Sequence, residues 1–510
     1  VTPSAGLASS GKPGGPFSPA NATYTLTNTG GQPINWTAGK TQNWITLSKT
    51  EGTLAAGATD TVTVSFNSAA NSLAVGNYAD TISFTNATNN SGNTTRPVNL
   101  AVATTDATYA SSVSQWGITW TFDKSYQVGK FVNGDWWVVG PIVLKSIQVV
   151  PVAGNPSTPT GGRNGFTINP PTGVDSNGKS AKATHAYDSR AAGYNAALQP
   201  TLPATIGINS SIVSTISRGA EADSGGAGTE KLKTAAVLTV LGSPPPVGSF
   251  RPPYVGKAKP IYSSLNLRRD LLLSLPKVSG TPSISALAAK FQRPWIDTQF
   301  LWSGKGIHPI DNMPPYGADI VALVGEGALR LQLDDAPADK EPLLINYVQV
   351  GIDLFGLVEN GMFWPADGGH ASGRKFPILF AGLMLNNQAM LSIGSRTFPY
   401  YGPHGGSATG FGEDCQTFYD SKGNPKYGIR HCEGNDDLNY QLCCTGRPWL
   451  GQTLAARLLG LVQYWNHNAY FDYVDWYVDS YCPTNHGTRF CGSYGSTFNE
   501  NMWLTYRKGN

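Results

Sequence analysis

Charge is scarce in this chain of 510 residues. Asp, Glu, Lys and Arg make up 14% of the sequence, and the formal net charge is +3. Electrostatic binding of nucleic acid needs a strong basic excess, so we expect no nucleic-acid partner. No apolar run reaches the length that crosses a bilayer and no signal peptide is visible, so we expect no membrane span. Val1 and the Gly/Ser/Pro-rich residues after it are typical of a mature end left by processing. Composition does not indicate an oligomeric state.

Several short catalytic motifs are missing as well. The sequence contains no G-x-S-x-G elbow, P-loop, G-x-G-x-x-G or H-E-x-x-H pattern, which argues against the enzyme classes that depend on them. It has no C-x-x-C pair, so a zinc site is not indicated. Asp436 and Asp437 have the right chemistry for calcium, but their spacing does not define an oxygen cage. We therefore expect no cofactor and no metal.

Cysteine is absent until residue 415 and is then concentrated near the C-terminus. The six residues are Cys415, Cys432, Cys443, Cys444, Cys482 and Cys491. An even number in a loop-rich region favours disulfides and an oxidising compartment. We predict at least two intrachain disulfides, with Cys482–Cys491 first because its separation of nine residues closes a small loop. The predicted location is secreted or cell-surface, that is, extracellular or periplasmic.

The first hundred residues carry the pattern of short strands. Apolar and polar residues alternate in YTLTNT (24–29), TVTVSF (61–66) and DTISFT (80–85), and Gly-rich turns separate these runs. Such spacing predicts an antiparallel β-sandwich over residues 1–104.

The order of these runs also resembles a known family. The stretch YTLTNTGG…INWTA…NWITLSKTEGTLAAGATDTVTVSFN…LAVGNYADTISFTN, with Trp36 and Trp44, is similar to the BACON-type immunoglobulin-like modules of secreted bacterial carbohydrate-active enzymes. The resemblance covers about a hundred residues. It implies a non-catalytic accessory module that binds carbohydrate or mucin, or that acts only as a spacer.

Two further regions follow. Residues 105–110 have the composition of a linker, and residues 111–260 stay strand-like with long Gly/Pro/Ser/Asn loops, which predicts a second, irregular β-sandwich. From 261 to 510 the apolar period becomes helical, and Gly-rich loops separate largely apolar segments. Pairs of such helices suggest an (α/α) toroid, or part of one. The length supports about two or three domains in all.

One stretch of the helical region has an unusual composition. FWPADGGHASGRKFPILFAGLML (363–385) ends in a nearly continuous apolar run, which predicts a buried helix. Its first half holds Asp367, His370, Arg374 and Lys375 among glycines. We interpret residues 363–375 as the entrance of an inner helix facing a cleft, with Asp367 near a cap position. Alternatively Asp367 only caps the helix and Arg374 pairs with it.

Candidate catalytic residues depend on the reaction. A glycoside hydrolase needs two carboxylates, for which Asp367, Glu413 and Asp414 fit best. A polysaccharide lyase needs a cation that neutralises a uronate and a His or Tyr that moves the proton. His370, Tyr401 and His404 supply the proton-transfer groups, and Arg374 and Lys375 the cations. Further substrate-binding candidates, from loops rich in aromatic and ionisable groups, are Trp302, His308, Asn312, Tyr316, Trp364 and Tyr400.

The resulting hypothesis is a secreted enzyme that degrades a polysaccharide. We place glycoside hydrolase ahead of lyase, because a β-sandwich before a toroid resembles the layout of several hydrolase families. A non-catalytic glycan-binding surface protein is the alternative from another class. Buried carboxylates with a raised pKa favour the enzyme, and acids that are exposed or paired with Arg favour the binding protein.

Overall fold

The computed structural model describes residues 1–102, 108–173, 184–223, 229–299, 304–401 and 407–507, apart from the side chains of 397–401 and 407–409. The chain divides into two compact units. The N-terminal unit comprises Val1–Thr108, Pro244–Phe250 and Ile261–Leu267, and the C-terminal unit comprises Tyr109–Ser243, Arg251–Pro260 and Arg268–Asn510. The N-terminal unit therefore draws on three separate stretches of the chain. The division into domains at residues 104, 111 and 260 stays a prediction.

The described residues of the N-terminal unit form nine strands in two sheets. They are β1 Leu7–Gly11, β2 Phe17–Ser18, β3 Asn21–Thr27, β4 Ile34–Gly39, β5 Ile45–Leu47, β6 Glu51–Leu54, β7 Thr59–Phe66, β8 Gly76–Asn86 and β9 Thr94–Val102. The sheet orders are β2-β1-β9-β8-β4-β6 and β3-β7-β5. Alternate residues such as Tyr24 and Leu26 of β3 point into one core, which also buries Trp36 and Trp44. The period-two pattern thus gives the predicted sandwich.

The second group of strands forms one sheet of eight. Its members are β10 Thr108–Gln115, β11 Ile118–Lys130, β12 Trp136–Val139, β13 Ile142–Val149, β14 Phe166–Ile168, β15 Ala204–Ile206, β16 Ser210–Ser217 and β17 Leu232–Leu241. The order is β14-β16-β17-β12-β11-β13-β15, with β10 paired to β11. A second sandwich of two separate sheets is therefore not found among the described residues. The predicted linker is also corrected in part, because residues 108–110 lie in β10 while 105–107 lie outside the described residues.

The C-terminal half is helical, as predicted. The α-helices among its described residues are Ile284–Gln292, Gly317–Arg330, Pro337–Glu359, Lys375–Leu385, Gln388–Leu391, Gly412–Gln416, Leu450–Leu458, Val462–Trp465, Asn468–Trp476, Cys482–His486 and Thr497–Tyr506. Two short hairpins pair β18 Thr397–Tyr401 with β19 Ser407–Thr409, and β20 Thr417–Tyr419 with β21 Pro425–Tyr427. Helix 337–359 packs against both 284–292 and 375–385, and helix 317–330 packs against 450–458.

Helix Pro337–Glu359 bears on the expectation that no segment could span a membrane. By length and composition this helix could cross a membrane, which differs from the expectation from the sequence. However, 89% of its apolar window is buried inside the protein, as in the core helix of a globular unit. Asp353 of this helix is buried against Arg251, which also binds Asp135 next to β12. The second sheet and the helices thus share one charge network within the C-terminal unit.

Candidate functional site

The segment 363–375 is held in place by backbone contacts before helix Lys375–Leu385 begins. The Trp364 N–H donates to the Gly410 carbonyl at 2.8 Å. The Gly373 N–H, at φ +90°, donates to Glu413 Oε1 at 2.7 Å. Gly317 at the start of helix 317–330 lies so close that an added Cβ would come 2.2 Å from the Gly369 carbonyl oxygen. Glycine is therefore required at this approach, and the segment is firmly positioned.

Asp297 organises the polar groups beside this segment. Its side chain is 2% exposed. Oδ2 accepts from Arg374 Nε at 2.9 Å and from Trp364 Nε1 at 3.0 Å, and His308 Nε2 lies 3.4 Å from Oδ1. Burial alone would raise the pKa of Asp297, but the Arg374 guanidinium and His308 outweigh it and lower the pKa to about 2. Asp297 is therefore an anion at neutral pH and cannot act as a general acid.

A small pocket of about 10 Å³, with room for about one water molecule, opens next to Asp297. Its lining consists of Asp297, Gln299, Gly304, Lys305, His308, Pro315, Trp364, Pro365, His370, Ala371 and Arg374. Among these described residues Asp297 is the one carboxylate, whereas Lys305 and Arg374 are cations. Arg374 is paired with Asp297, and Lys305 Nζ lies 4.0 Å from Glu230 Oε1, so both cations of the lining have a carboxylate nearby.

His370 lies half-buried in this lining. Burial lowers its pKa to about 4; the nearby Asp367 opposes that effect, while Lys305 and Arg374 add to it. At neutral pH the imidazole is thus uncharged and can accept a proton. The ring of Tyr316 crosses the imidazole edge-on, with centroids 4.6 Å apart. Burial raises the pKa of Tyr316, so its phenol keeps its proton at neutral pH.

Asp367 has a different partner from the one that its spacing suggested. Arg430 Nη2 donates to Asp367 Oδ1 at 2.6 Å, and this pair is partly exposed. Arg374, the candidate partner from sequence, binds Asp297 instead and also donates to the carbonyls of His370 and Ser372. The suggested Asp367–Arg374 pair is therefore wrong, because packing brings Arg374 to a carboxylate far away in sequence.

Glu413, Asp414 and Lys375 lie behind the pocket and do not line it. Lys375 is completely buried, and its Nζ donates to Asp414 Oδ2 at 2.5 Å and to the Trp465 carbonyl at 2.6 Å. The second oxygen of Asp414 accepts from Trp465 Nε1 at 2.7 Å. Glu413 Oε1 accepts from Gly373 N and from Gln452, and burial raises the pKa of Glu413. These three groups therefore brace the segment 363–375 from the inside.

Of the remaining predicted residues that the structure describes, only some lie at the pocket. His308, Trp364 and Tyr316 lie at or beside the pocket, as described above. Asn312 is buried, and its amide donates to the Arg293 carbonyl at 3.0 Å, so it holds a loop together. Trp302 and His404 lie outside the described residues, and so do the side chains of Tyr400 and Tyr401. The roles predicted for these four residues stay predictions.

Three residues of the site were not predicted as site residues. Asp297, Gln299 and Lys305 all line the pocket. Asp297 and Lys305 belong to the same loop as His308, whose aromatic and ionisable composition was the signal that selected its neighbours. That signal marks the loop as a whole, but it does not distinguish which side chains face inward.

A comparison with protein families supports the identity of the first module. Residues 18–96 match the family model described as "Viral BACON domain". These residues include β3 to β8 and the buried Trp36 and Trp44. This part of the chain is therefore similar to BACON-type domains, in agreement with the sequence resemblance. The matching family is described as viral, whereas the resemblance pointed to bacterial enzymes.

Solved structures give little further information. The chain is similar to SSP-19, an MSP-domain-like protein of Caenorhabditis elegans (15% identity, 19% of this chain, 94% of that chain, TM-score 0.15). It is also similar to a Bacteroides ovatus GH5 xyloglucanase in complex with a XXXG heptasaccharide (13% identity, 21% of this chain, TM-score 0.15), of which it covers 19%. Similarities this weak support no argument about fold or function. No curated protein matches the chain.

Proposed function

We propose that the chain is a secreted polysaccharide lyase that acts on a uronate-containing polysaccharide by β-elimination. In this proposal the BACON-type module is an accessory domain, and the C-terminal helices form the toroid-like catalytic region predicted from the sequence. The observation that carries it is the uncharged His370, which lines the small pocket together with Lys305 and Arg374 and packs against Tyr316.

The chemistry follows from these groups. Lys305 and Arg374 offset the charge of the uronate carboxylate, which makes the C5 proton more acidic. His370 takes that proton, and the C5 electron pair forms the C4–C5 double bond as the bond to the O4 leaving group breaks. Tyr316 donates its phenol proton to O4, and the proton on His370 then passes to the Tyr316 phenolate, which restores both groups. Asp297 keeps Arg374 and Trp364 in position and takes no part in the proton transfer.

The hydrolase alternative has less support. It needs two carboxylates facing the substrate, one of them protonated. Asp297 is ionised and paired, Asp367 is paired with Arg430, and Asp414 is paired with Lys375. Glu413 has the raised pKa that a general acid requires, but it is fully buried and lies outside the pocket lining.

A polysaccharide panel scored in two ways tests the proposal. Alginate, polygalacturonate, hyaluronan and xyloglucan are incubated with the full chain, and products are measured as ultraviolet-absorbing unsaturated uronides and as reducing ends. We expect both signals on at least one uronate polymer, and a loss of about 100-fold or more in kcat for His370→Ala. The exposed His486 gives the control variant His486→Ala, with unchanged kcat.

Three outcomes contradict the lyase. Reducing ends without unsaturated product indicate the hydrolase, and binding without any product indicates the glycan-binding protein. Full activity of His370→Ala removes the proposed base.

A further inference from the structure

Two tyrosines beside the pocket are exposed and have an unusual backbone. Tyr440 is 44% exposed and Tyr494 is 41% exposed. Their φ angles are +74° and +48°, in the left-handed region that bulky side chains seldom adopt. Such strain persists only where the surroundings enforce it, and it is concentrated at binding sites. Since exposed rings of this size gain little from the fold, the strain calls for an explanation.

The loops that carry these tyrosines are tied down. The Tyr440 carbonyl accepts from Cys444 N at 2.9 Å and from Thr445 Oγ1 at 3.0 Å. The loop of Tyr494 is bound to the loop of Tyr440, because Ser493 N donates to the Leu442 carbonyl at 2.9 Å.

Covalent bonds add to this support. Cys443–Cys444 follows Tyr440, and Cys482–Cys491 closes the segment before Tyr494. Both disulfides thus lie close in sequence to the exposed tyrosines and constrain the backbone of their loops.

Both rings adjoin the residues proposed for proton transfer. The ring centroids of Tyr494 and Tyr316 are 5.3 Å apart. The Tyr440 ring lies against the backbone of Gly368, where an added Cβ would be 3.0 Å from Cδ1. Gly368 is two residues before His370, and Tyr316 packs on the His370 ring. The two exposed rings therefore continue the surface that starts at Tyr316.

We propose that Tyr440 and Tyr494 form a sugar-binding subsite that stacks pyranose rings of a polysaccharide next to the unit held at His370. The C–H face of a pyranose is apolar and packs on an aromatic ring, while its hydroxyls stay in water. Rigid tyrosines on braced loops bind such a ligand with a small loss of side-chain entropy. The subsite rests on the proposed function in one respect, because that function places the reacting sugar unit of the polysaccharide at His370.

Affinity electrophoresis separates the subsite from the reaction. The full chain and its variants migrate through gels that contain alginate, polygalacturonate, hyaluronan or xyloglucan, and through a gel without polymer. We expect at least one polymer to retard the wild type. Tyr440→Ala and Tyr494→Ala should each bind it about fivefold or more weakly. Tyr440→Phe keeps the ring and should bind like the wild type.

Tyr419 provides the matched control. It is also 44% exposed, but it lies in the hairpin of β20 and β21 and bonds Asp472. Tyr419→Ala should migrate like the wild type. His370→Ala should remain retarded, whether or not the protein turns the polymer over, so a failure of the lyase proposal does not remove the subsite.

The subsite is overturned if no polymer retards the wild type, or if the two alanine variants and the Tyr419 control are retarded equally. Thermal melting of each variant distinguishes lost binding from lost folding. If Tyr440→Ala melts early, Tyr440→Leu, which keeps apolar volume without a ring, is used at that position instead. Retardation of a folded Tyr440→Leu variant equal to wild type also overturns the proposal.

Discussion

Protonation of His370 makes the proposed reaction sensitive to acid. The pKa of His370 is lowered to about 4, chiefly by burial, so the imidazole is a free base above that pH and a cation below it. We expect kcat/KM to be constant near neutrality and to fall tenfold per pH unit below about 4. A pH–rate profile on the responsive polymer checks this. A limb near the ordinary histidine pKa of about 6.5 would contradict the burial effect.

Neutralising Asp297 should cost much more stability than neutralising Asp367. Asp297→Asn leaves the buried Arg374 without its carboxylate, and breaking one side of a buried pair costs about 3–5 kcal/mol. Asp367 pairs with Arg430, which is 43% exposed, so Asp367→Asn should cost at most about 1 kcal/mol. Urea unfolding measures both variants. Equal losses would show that Asp297 is not a structural anion.

Asp367→Asn also tests the hydrolase alternative. Under the lyase proposal this variant keeps its turnover, because the carboxylate moves no proton. Loss of turnover with unchanged stability would instead support the catalytic role that the sequence suggested for Asp367.

At the scale of elements, the close approach of helix 317–330 to segment 363–375 sets the position of His370. Gly317→Ala would place a methyl group 2.2 Å from the carbonyl oxygens of Gly369 and His370, so the segment must move. We expect a loss of about 1–3 kcal/mol in unfolding free energy, as for overpacking in a core, and a lower kcat. Gly207, where an added Cβ meets nothing within 4 Å, provides the control Gly207→Ala. Wild-type stability and activity of Gly317→Ala would contradict this tight contact.

The same element shows where local sequence patterns stop being informative. The apolar run after Lys375 predicts a buried helix, and the structure has one at Lys375–Leu385. From the sequence, the polar residues before it are expected to face a cleft. Arg374 and Lys375 are in fact buried in ion pairs, and Lys375 does not line the pocket, so that expectation is wrong for Lys375. Spacing along the chain carries no signal for partners that arrive from other segments.

For the whole molecule, the number of reactive thiols tests the disulfide pattern. Cys443–Cys444 and Cys482–Cys491 are disulfides, and Cys415 and Cys432 are free thiols. Thiol titration of the unfolded, unreduced protein should therefore find two reactive thiols. Six thiols would exclude both disulfides, and none would indicate that Cys415 and Cys432 are also oxidised.

The division into two compact units predicts separate unfolding. Calorimetry of the full chain should show two transitions, and deletion of residues 1–104 should remove one of them while turnover persists. Pro244–Phe250 and Ile261–Leu267 belong to the N-terminal unit and would lose contacts such as that between Val247 N and Ser10 Oγ. We therefore expect a small downward shift of the remaining transition, of about 4 °C at most. A single transition in the full chain would contradict independent units.

Local periodicity accounts for much of the architecture. Alternation with period two identifies the strands around Tyr24 and Val62, and an apolar run identifies the helix at 375–385, because both depend on neighbours along the chain. The pocket forms from residues that are far apart in the sequence. Arg374 meets a carboxylate 77 positions away and Lys375 one 39 positions away. Burial then sets the protonation of His370. Only packing brings these groups together and removes water from them, so only the tertiary structure identifies the base and its neighbours.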